Sequence, residues 1–584
     1  MEAEGAKDQS VYAQSPETAQ EAESTAEDVA PAVNSILGPN LFIGFDLGDL
    51  ATSITDFLGG LFHARSKALE RLPKFSKELL NILIGRSEIE PEPSDKRFND
   101  PAWKENPFFR ALMQGYLAWR STMLELVNEQ AANGSDWKTP AQKRFAISLL
   151  TEALSPTNVL FTNPAALKRA FDTGGWSLLK GLQNFVDDLL HNGGMPSQVD
   201  KRPFKVGENI GVTPGAVVYR NELCELLQYR PSTREVYQRP LLLVPPQINK
   251  YYIMDLAPKR SLTEYAVSRG IQFFTISWRN PGPEFREHGL AEYIAAIKET
   301  IRVVTSITGS PDINLLGVCA GGITSSVMLA HLAATHERLV NAATLLVTML
   351  DSSEPSMTGM FATEEMARAA CLRSRQRGVL DAASMARLFA WLRPNDLVWH
   401  YWVNNYLMGK EPAPFDILFW NADSTNLPAK LHADFLDILV HNALVQVNHL
   451  QVLGTPINLR TVDCDMYILA GLTDHICSWQ ACYRASQLFG GRVEFVLNSS
   501  GHVQSLVSPP DNFKARYFTN SQRAEKAEAW LSSATQHKGS WWEHWIDWLG
   551  RHSGERRPAP EYLGNAEYPA LQPAPGTYVF ESPQ

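Results

Sequence analysis

The chain has 584 residues, 44% of them hydrophobic and 20% charged, an ordinary globular balance spread over more length than one typical domain uses. A formal charge of −10, with no concentrated run of Lys and Arg, excludes a partner held by its nucleic-acid phosphates. No apolar stretch is long enough to span a bilayer, and the acidic start MEAEGAKDQS does not read as a secretory signal, so a cytoplasmic setting is expected.

Residues 1–33 are rich in Ala, Glu, Gln and Ser, with Lys7 as the only basic residue. They bury too little apolar surface to offset the entropy of ordering, and a disordered acidic tail is expected. From 34 to 205 the pattern is that of a helical N-terminal domain. Phe57, Leu58, Leu61 and Phe62 fall near helical spacing, KFSKELLNILIG continues the pattern, and FFRALMQGYLAWRSTMLELVNEQ is its clearest stretch. The plain expectation for the apolar faces of the first helices is packing against the protein's own core; a lipid-like surface or a helper protein is the alternative.

From 206 to 350 strands and helices alternate. LLLVPP (241–246), IQFFTISW (271–278), INLLGVC (313–319) and ATLLVTML (343–350) read as strands, with amphipathic helices between them. That order predicts an α/β fold with a mainly parallel sheet covered on both faces. The alternation lapses over 351–461, where Trp402, Tyr406 and Trp420 mark an aromatic-rich insertion of the kind that caps such a sheet. It resumes over 462–552 with strands DMYILAG (465–471) and VEFVLNS (493–499) and two closing helices, and 553–584 reads as a Pro-rich tail. In WWEHWIDWLG, Trp541, Trp542, Trp545 and Trp548 lie mostly on one helical side, a pattern expected of core packing before an oligomer contact.

Cys224, Cys319, Cys371, Cys464, Cys477 and Cys482 are scattered without a repeated C-x-x-C pair, which fits neither a disulfide framework nor a zinc site. Cys319 differs from the rest. It lies in Gly317-Val318-Cys319-Ala320-Gly321-Gly322, between an apolar strand and a helix, where G-x-S-x-G forms a nucleophile elbow and cysteine here takes the serine position. A helix N-terminus behind the sulfur favours thiolate.

The partners of such a nucleophile follow in the order acid, then histidine. Asp474 beyond DMYILAG and His502 beyond VEFVLNS occupy those strand ends. His475 is the rival base, but a residue adjacent to the acid is poorly placed to be oriented by it. The backbone N–H of Ala320 is the first expected oxyanion donor, and the loop PPQINKYY offers a second, assigned to Ile248. Asn249 and Lys250 in that loop could equally be structural turn residues. No metal site and no cofactor are expected.

GVCAGGITSS, VPPQINKYYIMDL, SWRNP, RPNDLVWHYWVNNYL, FDILFWNADSTNLP, GLTDHI and SSGHVQS together resemble the successive signature segments of polyhydroxyalkanoate synthases, over about 98–548. Gln247 and SWWEHWIDWL resemble the type that prefers medium-chain 3-hydroxyacyl groups and works without a second subunit. The resemblance implies an α/β-hydrolase fold with a cap (lid) insertion and a catalytic Cys319, Asp474 and His502. It implies 3-hydroxyacyl-coenzyme A as substrate, coenzyme A as product, and a growing polyester chain carried as an acyl group on Cys319. A homodimer at the surface of a cytoplasmic polyester granule is the implied setting, with granule-associated proteins as further partners. A thioesterase or polyester depolymerase of the same fold is the alternative, and a scaffold protein with a relic site is a more distant one.

Overall fold

The structure is a computed structural model that describes residues 65–128, 137–357 and 359–582. The acidic tail over 1–33 and the helical pattern around Phe57 to Phe62 lie outside the described residues.

The N-terminal part is helical, with helices Arg65–Leu83, Pro107–Asn128, Lys138–Ala153, Pro164–Asp172 and Trp176–His191. Phe98, Trp103, Met113 and Tyr116 form a small core of their own, Phe98 and Trp103 meeting edge to face at 5.0 Å. Asn163 caps the helix Pro164–Asp172 by accepting from the Ala166 N–H, with Pro164 at the first position, where a missing N–H costs nothing.

The rest of the described chain is built on one 11-stranded sheet. Its strands are β1 (Gly215–Arg220), β2 (Cys224–Tyr229), β4 (Leu241–Val244), β5 (Phe273–Trp278), β6 (Ile313–Val318), β7 (Val340–Leu346), β8 (Asp465–Gly471), β9 (Val493–Asn498), β10 (Arg516–Thr519), β11 (Thr535–Lys538) and β13 (Gln572–Pro573). The spatial order is β11-β10-β9-β8-β7-β6-β4-β5-β2-β1-β13. From β5 to β9 every pairing is parallel, while β2 meets β5 and β10 meets β9 antiparallel. Successive residues of the buried strands serve opposite faces: Leu242, Val244, Phe274 and Ile276 join the core under helices Leu290–Thr308 and Ala320–Ala334. Leu241, Leu243 and Phe273 join the core under Leu262–Ser268 and Trp541–His552. The indoles of Trp541, Trp542, Trp545 and Trp548 are buried in the second core.

Three readings of the sequence need correction. The strand placed at ATLLVTML begins earlier, at Val340, in register with Ile313 of β6; it ends at Leu346 because Val347 takes a positive φ of 45°. The antiparallel strands β1, β2, β10 and β11 were not read from the sequence, since polar residues are mixed into their short runs. The Pro-rich end is not a ragged tail. Arg556–Pro558 (β12) pairs with Glu235–Tyr237 (β3), and β13 completes the main sheet beside β1. Its prolines stand at an edge, where a missing N–H removes no ladder bond. The buried Glu225 carboxylate then accepts from the N–H groups of Thr577 and Tyr578 and the Thr577 hydroxyl.

The insertion over 351–461 is mainly helical, with Glu364–Arg377, Ala382–Leu392 and Ala429–His441 as its longest helices and two π-helical turns over 395–407. Its aromatics do not form one cover. Trp402 donates to the Asn158 carbonyl at 3.0 Å and the Tyr406 hydroxyl to Asp188 at 2.8 Å, both on the N-terminal helical layer. Trp420 packs into the sheet core instead.

Candidate active site

Cys319 follows β6 directly and precedes helix Ala320–Ala334, at φ 50° and ψ −118°. A non-glycine residue held there is strained, and the surroundings fix it: the Cys319 N–H donates to the Leu346 carbonyl at 3.0 Å, and its own carbonyl accepts from the Gly322 and Ile323 N–H groups. The small residues behind it are needed for contact. A Cβ at Gly321 would stand 2.4 Å from the Val244 carbonyl oxygen, and one at Gly322 would stand 2.0 Å from Thr348 Oγ1. The helix therefore closes on β4 and its following loop, and the sulfur is lifted off the sheet.

His502 opens the short helix His502–Leu506 after β9, and Asp474 sits in the turn after β8. The parallel register of β8 and β9 brings those two strand ends side by side. The Asp474 carboxylate accepts from His502 Nδ1 at 2.6 Å through Oδ2, and from the Ile476 and Cys477 N–H groups at 2.8 and 2.9 Å through Oδ1. Both His502 and Asp474 are buried. With Nδ1 committed to Asp474, the other ring nitrogen faces sulfur, and Cys319 Sγ, Cys477 Sγ and the His502 ring nitrogen lie within 4.8 Å of one another. Trp541 steadies the histidine helix from below, donating to the Ser505 carbonyl at 2.8 Å.

The charges follow from that packing. A hydrogen bond from the Cys477 thiol holds the Cys319 thiol well below its ordinary range; burial opposes this, and the charge of His502, a hydrogen bond with it and the Ala320 N–H reinforce it. Burial also works against a charged His502, but the Asp474 carboxylate and the Cys319 sulfur outweigh it and push the imidazole up to about 10. The two directions agree on a thiolate beside an imidazolium. Cys477 is driven the other way, its thiol held far above the usual range by the hydrogen bond to Cys319 and by burial.

His475 is half-buried, and burial, followed by the charge of Arg393, lowers it to about 4. Its Nδ1 has no partner among the described residues, and the Asp474 oxygens are taken by other donors. The Ala320 N–H bonds the Cys319 sulfur. The Ile248 loop leans on the same helix, with Gln247 Nε2 donating to Thr324 Oγ1 at 3.0 Å, while the Ile248 carbonyl accepts from Thr425. Asn249 and Lys250 serve that loop structurally, Asn249 bonding Ser424 and Lys250 the Glu581 carbonyl. Cys477 was not singled out in the sequence. It lies three residues after Asp474, and only the closed turn brings it to the Cys319 sulfur.

Two family models match the chain: the Poly-beta-hydroxybutyrate polymerase (PhaC) N-terminus over residues 94–266, and the alpha/beta hydrolase fold over 240–509. Poly(3-hydroxyalkanoate) polymerase 1 of Ectopseudomonas oleovorans is 49% identical, over 94% of this chain and 98% of its own length. Poly(3-hydroxyalkanoate) polymerase 2 of the same organism is 48% identical over 86% and 89%. The poly(3-hydroxyalkanoate) polymerase subunit PhaC of Cupriavidus necator is 41% identical over 85% and 84%. With an elbow cysteine at the end of β6, an imidazole and carboxylate at the ends of β9 and β8, and this likeness along nearly its whole length, the chain belongs to the poly(3-hydroxyalkanoate) polymerase family.

Proposed function

We propose that the chain polymerises 3-hydroxyacyl-coenzyme A into polyester through an acyl group carried on Cys319, with medium-chain units preferred. The observation that carries this reading is the cluster of Cys319, His502 and Asp474 in a chain 49% identical to a polymerase. The Cys319 thiolate attacks the thioester carbonyl. The developing oxyanion meets the Ala320 N–H, with Ile248 as the second donor. Coenzyme A leaves as a thiolate and takes its proton from the His502 imidazolium. The neutral imidazole then accepts the proton of an incoming 3-hydroxyl as that oxygen attacks the acyl-Cys319 carbonyl; an ester forms, the sulfur leaves as thiolate, and the ion pair is restored. Asp474 holds the ring orientation and balances its charge throughout.

Cysteine suits the reaction because exchange of one thioester for another is nearly energy-neutral, which keeps the acyl group activated for the hydroxyl. Association with a polyester surface, or with a second copy of the chain, is supported by the exposed Trp176, Leu179, Leu182 and Leu190 on helix Trp176–His191. Among the described residues no helix is long and apolar enough to cross a membrane. The test is to supply purified protein with 3-hydroxyacyl-coenzyme A of several lengths, following free thiol and analysing the acyl product. Polymer is expected, longest with medium-chain units; free 3-hydroxy acid alone would assign a thioesterase instead.

A further inference from the structure

Cys477 takes no proton and forms no bond in the acyl transfer described above, yet its buried sulfur faces the same small space as Cys319 and His502. We propose that Cys319, Cys477 and His502 together form an inhibitory binding site for a soft divalent cation, with Zn²⁺ as its representative. The donor set is two sulfurs and one imidazole nitrogen, the combination that selects soft or borderline transition ions over Mg²⁺ or Ca²⁺. The geometry is close to what such an ion needs. Bond lengths of about 2.3 Å to sulfur and about 2.0 Å to nitrogen set the ligand atoms of a tetrahedral site roughly 3.5–3.8 Å apart. The three atoms here already lie within 4.8 Å of one another, so side-chain movements on the order of 1 Å close the site.

Asp474 prepares two of the three ligands. Its Oδ2 accepts from His502 Nδ1, which directs the other ring nitrogen at the sulfurs, the carboxylate–histidine arrangement that supports metal-bound imidazoles. Its Oδ1 accepts from the Cys477 N–H and fixes that residue's backbone beside Cys319. Three protein ligands leave a fourth position for water or the thiol of coenzyme A, as in open zinc sites. A divalent ion between two thiolates and a neutral imidazole carries no net charge, which suits a buried place. Binding displaces two protons, one from Cys477 and one from the Cys319–His502 pair, and removes nucleophile and base together. The site depends on these side chains whichever acyl donor they serve.

The experiment uses the full chain, with Co²⁺ as a spectroscopic probe and Zn²⁺ as competitor. One Co²⁺ per chain should bind with thiolate-to-metal charge-transfer absorption and be displaced by Zn²⁺. That absorption should weaken in Cys319→Ala, which keeps only one of the two thiolates, and the affinity should fall about tenfold or more in Cys477→Ser, since even an outer partner of a metal ligand carries that scale. Zn²⁺ should stop coenzyme A release in the unaltered protein, and a chelator should restore it. X-ray absorption of the Zn²⁺-loaded unaltered protein needs no variant, and should give two sulfurs and at least one nitrogen around the ion. A single sulfur, equal affinity in Cys477→Ser, or no binding at all would overturn the proposal.

Discussion

The Lys250 ammonium donates to the Glu581 carbonyl at 2.6 Å, and the Lys250 carbonyl accepts from the Trp420 indole at 2.7 Å. One buried lysine in the loop after β4 thus joins the C-terminal strap to the helical insertion. Arg279 adds an ion pair to the Glu581 carboxylate at 3.0 Å. The strap therefore bears on the active-site loop as well as on the sheet edge.

Removing residues 570–584 is accordingly predicted to lower both stability and activity. The buried Glu225 would lose Thr577, Tyr578 and Gln572 as donors and, among the described residues, keep only Arg220. A buried polar group stripped of partners costs about 1–3 kcal/mol, so a drop of at least that size is expected in a urea titration. An unchanged midpoint would mean that the strap is dispensable.

The triad assignment predicts unequal losses. Cys319→Ala should abolish coenzyme A release. His502→Ala should slow acylation by about 10²–10⁴, the usual contribution of a positioned proton-transfer group. His475→Ala should cost less, because its ring lacks the carboxylate bond that His502 has. The opposite ranking of the two histidines would exchange their roles.

Asp474→Asn separates orientation from direct action on the 3-hydroxyl. Asp474 accepts from His502 Nδ1, so its loss is predicted to impair acylation itself, leaving the protein largely unloaded after mixing with substrate. Intact-protein mass spectrometry reads this directly. A protein loaded with one acyl unit and stalled there would instead place Asp474 at the elongation step.

The ion pair has a pH signature. The Cys319 thiol is lowered, first by the Cys477 hydrogen bond and then by His502, while His502 is raised to about 10. The reactive thiolate–imidazolium form then persists above the lowered thiol value and below the raised imidazole value. Alkylation of Cys319 should stay flat across about pH 6.5–8.5, the window between ordinary imidazole and thiol values, whereas an ordinary thiol slows as pH falls through it. A rate rising tenfold per pH unit across that window would show an unactivated thiol.

The central strands and the site's order were legible because they leave simple patterns. Leu241–Val244 and residues 466–471 are apolar runs, and Cys319, Asp474 and His502 each follow a largely apolar strand. What escaped was set by tertiary contact. The Gln572–Pro573 strand is two residues long and exists only because β1 offers an edge. Cys477 meets Cys319 only after Asp474 draws its own turn inward through two N–H bonds, a closure that no spacing rule records. The aromatics of the insertion gave no sense of direction: Trp402 turned to Asn158 and Trp420 to Lys250.

That division within the insertion yields the last prediction. On the proposed mechanism a polyester chain and a bulky coenzyme A must reach Cys319, while water must be kept from the acyl thioester, so some covering part has to move. The segment 415–430 is a poor candidate. Trp420 and Thr425 bond Lys250 and Gln247 of the nucleophile-side loop, Asp423 accepts from Tyr252, and the Ala429 and Lys430 N–H groups are held by Gly378 and Arg286. Val379 and Leu380 share this fixed side, pairing with Pro428 and Leu427. Residues 359–362 and 393–407 are anchored elsewhere, on the N-terminal layer: Gln142 bonds the Met360 carbonyl, Lys138 the Ala362 carbonyl, Trp402 the Asn158 carbonyl and Tyr406 the Asp188 carboxylate. Arg393 in this part lies close enough to His475 for its charge to act on the ring, which places its edge at the site. Opening should therefore move 359–362 and 393–407 together with the helices Lys138–Ala153 and Trp176–His191, and leave 378–382 and 415–430 with the sheet. Hydrogen exchange should show the first group exchanging faster than Ile313–Val318 and Asp465–Gly471 in the free protein and gaining protection as a unit with a substrate analogue, while 415–430 stays as slow as the strands. If the whole of 351–461 exchanged as slowly as the sheet and ignored the ligand, the insertion would be fixed core, and access to Cys319 would have to come from another face.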